Sequence, residues 1–224
     1  MGQKIEARRA RTRNRIIALG AAGLVLGGGI AAGSLAAWTD VEWVTGGVDG
    51  SAGVTASTFE VEQNTGAAAA WDHFETEPTA NTVDFSAAAA TLTPGDTVYG
   101  FVRLRTPVDS LGGELSLVAD TDTSDATSLE AALTYGAVVV DAHTSCNAAD
   151  YTDDATATLV ALGSALDSDG AATFDLAAAT ATLPGTEQTV CFALTFPASY
   201  ASDDSLQGET ATPVWHFDAI SVAP

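Results

Sequence analysis

The side chains able to do chemistry are few and poorly grouped. Cys146 and Cys191 are the chain's two cysteines, and no histidine stands at ligand spacing from either. A pair of thiols alone does not make a zinc site. In an exported protein, an even count reads as one disulfide, which for a loop of this length stabilises by roughly 3–4 kcal/mol. His73, His143 and His216 are scattered, with no H-E-x-x-H among them. His216, in "VWHFDA", reads as an ordinary strand residue. There is no G-x-S-x-G and no phosphate-cradling glycine order. With 29 acidic residues, finding two carboxylates that could serve a glycosidase carries no weight. The expectation is a protein that is not an enzyme.

Three acidic stretches remain: Asp120, Asp122 and Asp125 in "DTDTSD", the run "DYTDD" at 150–154, and Asp167 and Asp169 in "DSDG". Calcium takes clustered oxygens, but none of these completes an EF-hand spacing. Solvated loops are the simpler reading, a weak calcium site the alternative. No other cofactor is expected.

Charge is unevenly placed along the 224 residues. Lys4, Arg8, Arg9, Arg11, Arg13 and Arg15 against Glu6 give the first fifteen residues +5 of a chain total of −21, which leaves −26 for the rest. That remainder has two cations, Arg103 and Arg105, and no lysine. Such a surface repels nucleic acid and anionic lipid and suits an external medium.

The elements that must position these residues read as strands. "TVYGFVRLRT" (97–106) alternates, with Val98, Val102 and Leu104 on one face and Tyr99, Phe101, Arg103 and Arg105 on the other. "VTASTFEVEQ" (54–63), "GELSLVAD" (113–120), "QTVCFALTF" (188–196) and "TPVWHFDAISV" (212–222) also read as strands. "ALTYGAVVVD" (132–141) is nearly all apolar, as a central strand is. Pro94-Gly95-Asp96, Gly112-Gly113, Asp167-Ser168-Asp169-Gly170 and Pro184-Gly185-Thr186 supply turns. Helical periodicity is scarce. The expectation is an all-β, jelly-roll-like antiparallel sandwich of about eight strands over residues 54–224.

Before that domain stands an export leader, residues 1–36. Its basic part is 1–15 and its apolar, glycine-rich part 16–36. Ser34-Leu35-Ala36 offers small residues to a signal peptidase, so the cut is expected between Ala36 and Ala37. The rival is an uncleaved helix, the one route by which the chain would touch a membrane. Gly27-Gly28-Gly29 and Gly33 weigh against it.

Residues 37–53 follow as a distinct segment, apolar at Trp38, Val41, Trp43 and Val44, then glycine-rich. Packed on its own domain it would be a first strand. Released, it could complete the sheet of another copy. Such a head-to-tail contact does not close and builds a fibre.

Leu26-Gly27-Gly28-Gly29 with Ala36-Ala37-Trp38-Thr39-Asp40 resembles the signal peptides cut by the SipW-type peptidase. "LTPGDTVYGFVRLR" (92–105) and "LQGETATPVWHFDA" (206–219) are similar to stretches of the TasA and camelysin biofilm-matrix family. The alanine, glycine and acidic bias suggests a diverged member from a high-GC, actinobacterial-type host. The resemblance implies a secreted protein of the cell surface or biofilm matrix. Its mature N-terminus would be the donor strand of a homopolymer, with other matrix or cell-wall components as further partners. Camelysins have been described as metalloproteases, but no motif here carries that over. The alternative is a monomeric adhesin or ligand-binding module using the acidic loops or aromatics such as Trp71 and Tyr151.

Overall fold

The strand-like stretches condense into ten strands in the structure, a computed structural model that describes residues 47–48, 51–53, 56–66 and 70–222. The leader, its cut at Ala36 and Ala37, and the donor residues Trp38, Val41, Trp43 and Val44 lie outside the described residues. The chain divides into two units, Met1–Ala52 and Gly53–Pro224. In the first, β1 (Gly47–Val48) and β2 (Ser51–Ala52) pair antiparallel.

The second unit is an all-β sandwich. Its strands are β3 (Glu62–Asn64), β4 (Thr97–Arg105), β5 (Gly113–Ala119), β6 (Thr134–Val140), β7 (Ala157–Ala165), β8 (Thr173–Leu176), β9 (Gln188–Thr195) and β10 (Trp215–Ser221). One sheet runs β3-β4-β9-β6-β7 and the other β10-β5-β8, with every pairing antiparallel. From β4 onward the chain alternates between the sheets, except at the β6–β7 hairpin, which gives the jelly-roll-like order. The helix α1 (Leu129–Ala132) is a single turn, started by the Ser128 hydroxyl accepting from the Ala131 N–H.

Alternation decides which faces meet. Val98, Val102 and Leu104 of β4 and Val190, Phe192 and Leu194 of β9 point inward, against Leu115 and Leu117 of β5 and Leu176 of β8. Trp215 lies between the sheets, its ring 4.8 Å from Phe192, 5.4 Å from Tyr135 and 6.3 Å from Phe85. Burying each such side chain contributes about 1.5–3 kcal/mol. Strand β6 sits between β9 and β7 and is buried on both faces, which is why its sequence does not alternate.

The 54–63 stretch departs from expectation. Among its described residues it forms only the start of β3 and two isolated bridges, Thr58 to Ser110 and Gln63 to Asp72. The Glu60 N–H donates to the Ser110 hydroxyl, and Leu111 N–H to the Thr58 carbonyl, so the chain here ties to a loop rather than to a strand. Strand β7 was hidden in the alanine-rich "ATLVALGSA", where Gly163 at φ +86° accompanies an irregular register with β6.

Candidate functional site

A sheet ends in edges, and edges are where a backbone can recruit another chain. Three of the four edges here are blunted. β3 has three residues, and on its outer side Gln63 and Asp72 exchange backbone hydrogen bonds of 2.9 and 3.2 Å. β7 is bulged against its neighbour. β8 has four residues.

The fourth edge, β10, is unlike them. It runs seven residues in unbroken register with β5, from Trp215 opposite Ala119 to Ser221 opposite Gly113. The Asp120 N–H donates to the Val214 carbonyl, and the Val222 N–H to the Gly112 carbonyl, each at 2.9 Å. Antiparallel alternation therefore commits the even-numbered residues to β5. It turns the N–H and C=O of Phe217, Ala219 and Ser221 to the outer side. Among the described residues no strand pairs there. Ile220 and Val222 stand 72% and 52% exposed beside this edge; Leu162, on the bulged edge strand β7, is exposed as well.

The disulfide joins Cys146 to Cys191 across a Cα–Cα distance of 5.7 Å. Cys191 is a β9 residue facing outward, and Cys146 belongs to the loop after β6. That loop carries a 3-10 turn, Ala148–Tyr151, over the outer face of the larger sheet, covering Val138 and Val140. Tyr151 is therefore not a free aromatic. Its hydroxyl donates to the carbonyls of Gly136 and Cys191 at 3.2 and 2.9 Å, and burial drives its pKa far upward.

Trp71 is likewise engaged. The guanidinium carbons of Arg105 and Arg103 lie 4.0 and 5.2 Å from its ring centre. Arg105 Nε meets Glu62 at 2.5 Å, and both arginines reach Glu187. Arg103 also donates to Asn64 at 2.6 Å. The two cations of the sequence beyond residue 15 are thus spent on holding β3 and Trp71 to β4. Both aromatics expected for a monomeric binding face thus make contacts within the sandwich.

The calcium candidates close their own loops. Asp122 and Asp125 accept the N–H groups of Ser124 and Thr127 at 2.9 Å each. Hydrogen bonds from those side chains, and then from the backbone, hold both carboxyls below the usual range. Asp167 accepts from the Thr123 hydroxyl at 2.6 Å and Asp169 from the Ala119 N–H at 3.0 Å, so the two loops meet at one end of the sandwich. His216 is a strand residue, as its sequence suggests, with Nδ1 against Asp120 and Nε2 3.4 Å from Asp218. A groove of about 420 Å³ lies apart from these, lined by Leu92, Phe196, Tyr200, Asp203, Asp204 and Gln207.

Sequence reading missed the open side of β10. Alternation in "WHFDAIS" shows a strand but not which neighbours it has. The one local signal is Ile220 and Val222 on the face shared with Asp218. Among the described residues no helix is long and apolar enough to cross a membrane. No family model matches the chain, and no curated protein matches it significantly.

Proposed function

We propose that the chain is an exported structural protein of the cell surface or extracellular matrix, without catalytic activity, that assembles head to tail. After the leader is cut at Ala36 by a signal peptidase, residues 37–53 of one copy add to the β10 edge of the next. Backbone hydrogen bonds supply affinity, and Trp38 and Trp43 fill apolar pockets and set register. The observation that supports this reading is the β10 edge itself: long, regular, apolar-flanked, in a protein whose other edges are blunted.

A labelled peptide of residues 37–53 tests this against a chain lacking them. Saturable binding is expected, with slowed amide exchange at Phe217, Ala219 and Ser221. Binding that leaves those three amides unprotected, or no binding, would contradict the proposal. The second reading, a monomeric ligand-binding module, draws on the groove beside Tyr200. It predicts that the same peptide does nothing and that the chain stays monomeric.

A further inference from the structure

We propose that His143, Asp150 and Asp154 form a structural site for a divalent cation of the zinc class, clamping the covering loop to the larger sheet. Each offers a donor atom, a ring nitrogen and two carboxylate oxygens, and these lie within 4.8 Å of one another. Asp150 is the centre of the arrangement. It is only 2% exposed, behind the disulfide and Tyr151. One of its oxygens accepts the Asn147 N–H at 2.6 Å, completing a capping box that fixes the carboxylate. The other faces His143 Nδ1 at 3.4 Å. That matches the spacing of about 3.4 Å between neighbouring donors around a tetrahedral zinc with bonds of about 2.0–2.1 Å.

His143 is held from below by β9. Its N–H donates to the Thr189 hydroxyl at 2.9 Å, and that hydroxyl donates back to the His143 carbonyl at 3.2 Å. Thr189 is fully buried, so this anchor is rigid. Asp154, exposed at the end of the same loop, offers the third donor.

A carboxylate as buried as Asp150 needs a positive partner or hydrogen-bond donors. Here these are the Asn147 N–H and the His143 ring, which becomes a metal ligand where a cation supplies the positive charge instead. Arg103 and Arg105 are committed to Glu62 and Glu187, and beyond the leader the sequence has no other arginine or lysine. The donor set chooses the metal. Calcium takes an all-oxygen shell of six to eight, whereas an imidazole with two carboxylates suits zinc, with water completing the shell. The sulfurs of Cys146 and Cys191 also approach Asp150, but they are bonded to each other and are not thiolates.

The site would be a second tie on a loop the disulfide already holds. Titration calorimetry with zinc chloride on the full chain, disulfide intact, tests it. One zinc per chain is expected, with a thermal midpoint that rises with zinc concentration. His143→Gln and Asp154→Asn should each weaken binding about tenfold or more, while Asp122→Asn at the far acidic loop leaves it unchanged. Near-UV circular dichroism confirms that the variants fold. No stoichiometric zinc binding overturns the proposal. So does binding that survives both site variants, or that Asp122→Asn weakens equally, since that marks general attraction to an acidic surface.

Discussion

At the scale of single residues, Tyr135 ties the inner core to solvent conditions. Burial pushes its phenol up to about 12, and its hydroxyl donates to the Ser168 carbonyl. The unfolded chain releases this proton near 10, while the folded chain keeps it. Folding stability is therefore full below about pH 10 and falls as pH rises from 10 towards 12, with Tyr151, raised for the same reason, adding to the loss. Urea unfolding at pH 9 and pH 11 should show the drop, and Tyr135→Phe should shrink it. A second residue-scale expectation concerns the inner face. Phe192→Ala removes a fully buried ring beside Trp215 and should cost about 3–5 kcal/mol in equilibrium unfolding. Both residues were legible as strand positions. Neither Tyr135's carbonyl partner nor the buried Asp150 was, because their neighbours come from distant sequence.

At the scale of elements, period-two alternation carried most of the reading. β4, β5, β9 and β10 fell where their alternation puts them, and β6 where its continuous apolar run does. β3 and β7 did not, for physical reasons. β3 is held by charge and by Trp71 rather than by an apolar stripe, and alanines with a positive-φ glycine erase the pattern of β7. Edge status was illegible throughout, since it depends on which strand stands alongside. The β10 edge yields a sharp test. The Ala219 N–H points away from β5, so Ala219→Pro removes no bond of the existing ladder. That variant should keep its unfolding midpoint within a few degrees of the parent yet lose peptide binding and assembly. A variant that still assembles would move the interface to another edge.

At the scale of the whole molecule, charge opposes what the β10 edge invites. Chains carrying −26 beyond the leader repel one another, and salt screens that repulsion over about 8 Å at 0.15 M. Assembly should therefore be slow at low salt and quicken as salt is added, followed by light scattering. If strand pairing is the link, added salt raises the rate without changing the fibre's repeat. The sandwich class and its disulfide were readable from the sequence, because composition and turn chemistry fix both. The five-and-three division of the sheets was not, because it depends on which strands pair, such as β3 with β4, and alternation does not record that.

The most direct measurement is negative-stain electron microscopy of the chain beginning at Ala37 beside one lacking residues 37–53, over a range of salt and protein concentrations. Strand donation through the β10 edge predicts filaments from the first and compact single particles from the second. Single particles from both, or filaments from both, would contradict it.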